Sequence, residues 1–199
     1  MTTDVLVTKR LAGRHSTEIL VKIGPGEHYV TSKPEEVITT VLGSCVAACI
    51  RDPVATVGGM NHFMLPASES GFWGGVTGSL RYGNFAMERL INDILKRGGR
   101  RERLEVKIFG GGDVLGSGAP IGHRNADFAE SYLRAEGICV SAQHLRGHAA
   151  RRVKYSPLSG RAMMLELPIL NESTVAEREA RHREDLAKST PNDDIELFE

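Results

Sequence analysis

The chain has 199 residues, 41% of them hydrophobic and 25% charged, with 25 basic and 25 acidic side chains in balance. That is enough sequence for one well-buried core and short for two. The neutral balance lacks the basic excess of a nucleic-acid footprint. No apolar run approaches a membrane span, and no basic n-region precedes a long apolar core as in a secretory signal. Cysteine is used three times, at Cys45, Cys49 and Cys139. On one strand Cys45 and Cys49 would lie about 13 Å apart, too far for a disulfide, and no second ligand pair stands at zinc-finger spacing. The expectation is a reducing, cytoplasmic protein with no metal, no cofactor, no nucleic-acid partner and no membrane insertion.

Residues 1–18 are mixed and basic and are expected to be a flexible segment. The alternating run at residues 19–23 reads as a strand, closed by a Gly24-Pro25-Gly26 turn. Further on, Val46, Ala48 and Ile50 take one face of a strand, and Cys45, Ala47 and Cys49 the other. Both faces are apolar or small, so that strand is expected to be covered on both sides. Residues 72–78 are glycine-rich with two aromatics and read as a mobile surface connection, the alternative being a lid near the thiol. A helix capped by Asn84 follows, with Met87, Leu90, Ile91, Ile94 and Leu95 as its apolar stripe and Gly98-Gly99 as its stop.

Leu104, Val106 and Ile108 alternate with charged residues and return the chain to a sheet. A second helix is predicted near residues 125–135, capped by Asn125, with Phe128, Tyr132 and Leu133 inward and Gly137 as its stop. Strands follow at 138–145, 152–155 and 161–167, the last two joined by a turn at 156–160. The pattern predicts a single-domain α/β sandwich of mixed, largely antiparallel sheets with two main helices, spanning residues 19–171. Residues 172–199 hold nine acidic and four basic side chains, a net of −5. Their helical middle, residues 175–186, has almost no apolar stripe, so this acidic C-terminal tail is expected to be exposed or disordered by itself.

One constellation carries chemistry. A tight hairpin centred between Pro53 and Val54 would place Cys45 directly opposite His62 on the same face, with Cβ atoms about 5 Å apart. A thiol beside an imidazole is a minimal activated nucleophile. A one-residue bulge would turn His62 to the other face, and a buried cysteine is also an ordinary small core residue. Other motifs weigh less. The glycine loop at residues 110–118 follows a strand but lacks the Lys-Ser/Thr of a phosphate-binding loop. Gly43-Ser44-Cys45-Val46 lacks the second glycine of a nucleophile elbow, which leaves Ser44 as a turn residue or a backbone donor. His123, His144 and His148 stand on separate segments and read as surface or hydrogen-bonded residues.

Thr39, Leu42-Gly43-Ser44-Cys45-Val46, Asp52-Pro53, Gly58-Gly59, His62 and Met64-Leu65-Pro66 together form an ordered signature. Tyr82-Gly83-Asn84, Lys107-Ile108-Phe109-Gly110-Gly111, Ile121-Gly122, Arg124-Asn125 and Gly137-Ile138 continue it. Over residues 27–167 this resembles the CheD family, the chemoreceptor glutamine deamidases. The resemblance implies a protein-glutamine glutaminase of chemotaxis adaptation with a Cys-His-Thr triad. It makes Cys45 the nucleophile, His62 the base and Thr39 the residue that orients the histidine. Backbone donors near Gly43 and Ser44 would hold the oxyanion, and the same acyl-enzyme would allow hydrolysis of a glutamyl methyl ester. It implies chemoreceptor cytoplasmic helices as substrate and a CheC-like phosphatase as a possible partner. The alternative is a non-catalytic regulatory module that binds such a phosphatase. The family pattern also places the glycine loop close to the active site.

Overall fold

The structure, a computed structural model, describes residues 5–7, 18–66, 76–114, 121–168 and 172–188. Among these residues ten strands are β1 (Val5–Val7), β2 (Ile19–Lys22), β3 (His28–Thr31), β4 (Glu36–Leu42), β5 (Val46–Asp52), β6 (Val57–Asn61), β7 (Glu105–Gly110), β8 (Val140–Leu145), β9 (Arg151–Ser156) and β10 (Arg161–Glu166). Helix α1 (Val76–Lys96) falls between β6 and β7, α2 (Ile121–Ala135) between β7 and β8, and α3 (Glu172–Lys188) after β10. One sheet has the order β1-β2-β4-β9-β10 and the other β3-β6-β5-β7-β8. Among the described strands only β2/β4 and β7/β8 pair in parallel, so the expected mixed, largely antiparallel architecture holds.

The β3-β6-β5-β7-β8 sheet is the middle layer. On one face Val46, Ala48 and Ile50 pack with Met87, Leu90 and Ile91 of α1 and with Phe128 and Leu133 of α2. On the other, Cys45, Ala47 and Cys49 meet Ile38, Leu42, Val153 and Tyr155 of the second sheet. Every residue from Cys45 to Ile50 is fully buried. This is why β5 carries no polar face and why two adjacent alanines are accommodated there.

Four local expectations are corrected. Asn84 does not begin α1; it lies inside a helix that starts at Val76. Gly83 does not break that helix but lets it approach its neighbours, since a Cβ there would come within 2.5 Å of the Phe128 ring and 2.7 Å of Leu65. Asn125 likewise lies within α2, wholly buried, and its side chain is used elsewhere. Residues 5–7, expected in a flexible segment, form β1 and pair with β2. The tail is not simply an exposed chain: residues 172–188 form α3, with Val175, Glu179 and Leu186 buried.

Of the glycine-rich stretch at 72–78, residues 76–78 are helical, and 72–75 lie outside the described residues. The stop at Gly98-Gly99 is as read. Gly98 takes φ +93°, its N–H donates to the Leu95 carbonyl, and the Gly99 N–H donates to that of Ile94, a closed C-terminal motif that favours glycine. Among the described residues no helix is long and apolar enough to cross a membrane.

Candidate active site

The site lies where β4 turns into β5, through Gly43, Ser44 and Cys45. All three carbonyls of this turn are tied back into the protein. Gly112 N–H donates to the Gly43 carbonyl at 2.8 Å and Gly111 N–H to the Cys45 carbonyl at 2.7 Å. Asn125 Nδ2 donates to the Ser44 carbonyl at 2.8 Å, while its Oδ1 accepts from Leu65 N–H. The glycine loop therefore works as a backbone clamp. Gly110 and Gly111 have φ of +116° and +67°, and a Cβ on Gly110 would sit 2.1 Å from the Cys45 carbonyl oxygen. With the carbonyls held inward, the N–H groups of Gly43, Ser44 and Cys45 face the same side of the turn, an arrangement that attracts negative charge.

The hairpin that brings His62 to this turn differs from the expected one. Cys49 pairs with Met60 and Val46 with Phe63, so by the same register Cys45 faces Met64, two residues beyond His62. A shift of two preserves the face, because side chains alternate with period two. His62 is then a diagonal neighbour on the Cys45 side. The ladder also opens at this point. Ala48 N–H donates to the Asn61 side chain, and the His62 backbone bonds instead to Glu27 and Gly26 in the β2–β3 turn.

The imidazole is oriented by Thr40. His62 Nδ1 lies 2.8 Å from Thr40 Oγ1, and Thr40 Oγ1 donates to the Ile23 carbonyl, also at 2.8 Å. A hydroxyl has one proton to give. Since Thr40 gives its proton to Ile23, it accepts from His62 Nδ1–H, and Nε2 is left unprotonated. His62 Nε2 is buried and has no hydrogen-bond partner among the described residues. Burial lowers the His62 pKa to about 4, against a smaller raising effect of Glu179, so the ring is neutral near pH 7. Thr39, which the family resemblance puts forward for this role, has its hydroxyl directed elsewhere, donating to the Val153 carbonyl. Thr40 shares the fully buried side of β4 with Ile38 and Leu42, whereas Thr39 alternates to the opposite side.

The third neighbour is Glu179, from α3. Its Oε1 accepts from Gly43 N–H at 2.8 Å and Cys45 N–H at 3.1 Å. Its Oε2 accepts from Ser44 N–H at 2.8 Å and Ser44 Oγ at 2.6 Å. Burial works to raise the Glu179 pKa, but the Ser44, Cys45 and Gly43 donors outweigh it and hold the group below the ordinary range as a carboxylate. Burial, followed by the Glu179 charge and hydrogen bond, pushes the Cys45 thiol well up. The Cys45 sulfur, a His62 ring nitrogen and a Glu179 oxygen lie within 4.8 Å of one another, a spacing that could hold a metal. Yet the carboxylate already accepts four hydrogen bonds, so both oxygens are committed to the turn.

Sequence reading placed Cys45, His62, Gly43 and Ser44 together, and the structure does the same. It missed Thr40, Asn125 and Glu179. Asn125 had a signal, as a polar residue within an apolar helical pattern. His144 meets Arg151 at 2.9 Å through Nδ1.

The family model described as CheD chemotactic sensory transduction matches residues 64–166. A Rhodopseudomonas palustris protein named "Probable chemoreceptor glutamine deamidase CheD" is 57% identical over 180 residues, covering 90% of this chain and 84% of that protein. A Cupriavidus metallidurans protein of the same name is 50% identical over 181 residues, covering 89% and 82%. One from Hahella chejuensis is 43% identical over 180 residues, covering 90% and 85%.

Proposed function

The chain belongs to the CheD family, and from that premise we propose that it is a glutamine deamidase of chemoreceptor cytoplasmic helices, working in the cytoplasm on chemotaxis adaptation. One observation carries the mechanism: a neutral histidine, fixed by Thr40 with Nε2 free, stands beside Cys45 at a turn with three convergent N–H groups.

His62 Nε2 takes the Cys45 proton as the sulfur attacks the carboxamide carbon of a receptor glutamine. A C–S bond forms and the C=O electron pair moves onto oxygen. That oxyanion is held by the N–H groups of Gly43, Ser44 and Cys45. The electron pair returns, the C–N bond breaks, and His62 gives its proton to the departing ammonia. Water, activated by the same Nε2, then cleaves the thioester. This leaves glutamate on the receptor and restores the thiol. Thr40 keeps the ring in the tautomer that both steps need.

The test is incubation of the full chain with a receptor cytoplasmic fragment, followed by peptide mass spectrometry. Conversion of glutamine to glutamate that disappears in Cys45→Ala is the expected result. No conversion by the wild-type chain, or equal conversion by Cys45→Ala, would remove the enzymatic reading.

A further inference from the structure

Glu179 occupies the position that the mechanism assigns to the oxygen atoms of a substrate. A glutamate side chain on a helix is also, chemically, the product of the reaction. We propose that α3 is an intrasteric inhibitor of this chain, with Glu179 bound in cis as a product mimic, so that α3 must leave before a receptor glutamine can enter. The proposal rests on the deamidase reading for the identity of the displacing ligand, but not for the occlusion itself.

Three observations support it independently. First, the fit is that of a ligand in a site. Four donors converge on one buried carboxylate. A Cβ on Gly43 would sit 2.9 Å from Glu179 Oε2, so glycine at 43 is what admits the carboxylate. Second, the contact opposes catalysis. An anion beside a buried thiol disfavours the thiolate, which is the reactive form. Third, α3 is lightly anchored. Among its described side chains only Val175 and Leu186 are buried apolar residues; Ala180, His182 and Arg183 are half-buried, while Glu177, Arg178, Arg181, Glu184 and Asp185 are exposed. Its neighbours line the same site. Arg178 joins Thr40 and His62 around a cavity of about 260 Å³, and His182 lies against Gly26. Departure of α3 would therefore uncover the thiol, the imidazole and the donor turn together.

The three cysteines supply an internal control. Cys45 and Cys49 are buried and Cys139 is exposed. The experiment is iodoacetamide labelling of the full chain, read by peptide mass spectrometry for wild type, Glu179→Ala, Glu179→Gln and, as a charge-matched control, Glu177→Gln. An amide nitrogen at 179 cannot accept from the Ser44 donors, so both Glu179 variants should release α3. Cys45 labelling should rise on the order of tenfold or more, since the thiol gains access and loses a neighbouring anion. Cys139 labelling and the protection of Cys49 should not change, and Glu177→Gln should behave as wild type.

Cys45 rates within about twofold of wild type in both Glu179 variants would overturn the proposal. So would wild-type Cys45 labelling as fast as Cys139. Joint exposure of Cys45 and Cys49 would also overturn it, because Glu179 would then be holding the fold together. The same variants on a receptor fragment separate this inference from the functional reading. Faster Cys45 labelling with no glutamine conversion would sink the deamidase assignment alone. Normal conversion with unchanged labelling would sink the intrasteric inference alone.

Discussion

Cys45, at the mouth of β5, and Cys49, in its middle, share one face of one sheet. Both are fully buried, and burial pushes both thiols up. Their surroundings differ. Cys49 is packed within the layer between the two sheets, beside Met60 and Tyr155 in the same apolar cluster. Cys45 has a neutral imidazole, a turn of three N–H donors and a carboxylate. Burial therefore says little about which cysteine is chemical. What distinguishes Cys45 is the interruption around it: β4 ends, the β5–β6 ladder opens at Asn61, and backbone donors are left without strand partners.

The largest expected effect is the contrast between these two positions. Cys45→Ala should lower receptor deamidation by about 10³-fold or more. Cys49→Ala should keep the rate within about threefold and cost about 1 kcal/mol of stability for the lost core volume. Rates from peptide mass spectrometry and urea midpoints check both. A Cys49→Ala protein that is folded but inactive would erase the contrast.

His62→Gln should reduce the rate by about 10²-fold or more. It also has a pH signature. An unfolded histidine titrates near 6.5, whereas His62 in the fold titrates at about 4. The unfolded state thus binds the proton first, and stability falls as pH drops from 6.5 toward 4. Between about pH 7 and about pH 5 this histidine should cost the wild type about 2 kcal/mol of stability. His62→Gln should lack that share of the slope in urea unfolding, and an unchanged slope would contradict a buried neutral ring.

The two threonines sharpen the picture further. Thr40→Val removes the acceptor of His62 Nδ1–H and should slow deamidation on the order of tenfold. Thr39→Val removes a bond to Val153 and should leave the rate within about twofold, at a stability cost of about 1 kcal/mol. The reverse order would return the orienting role to Thr39.

These residues also mark what the sequence could disclose. The layered architecture was legible because β5 is apolar on both faces and because α1 and α2 carry clear helical stripes. In Val37-Ile38-Thr39-Thr40-Val41-Leu42, apolar residues fall at both odd and even positions, so the pattern does not say which threonine faces inward. Only the pairing of β4 with β2 and β9 decides that. The Cys45–His62 meeting survived a hairpin register that was off by two, because an even shift keeps the face. Glu179 was illegible for another reason. Val175, Glu179, His182 and Leu186 lie on one stripe of α3, but a hydrophobicity pattern counts the central glutamate as solvated. Three of its four donors are backbone N–H groups, which a sequence does not display.

The most direct test of the central claim is to catch the acyl-enzyme. The full chain would be mixed with a receptor fragment, quenched in acid at early times and mapped by mass spectrometry. The expected result is a thioester at Cys45 whose mass is that of the glutamine peptide less ammonia, with none at Cys49 or Cys139. Glutamine conversion with no adduct at Cys45 under single-turnover conditions, or an adduct at either other cysteine, would contradict it.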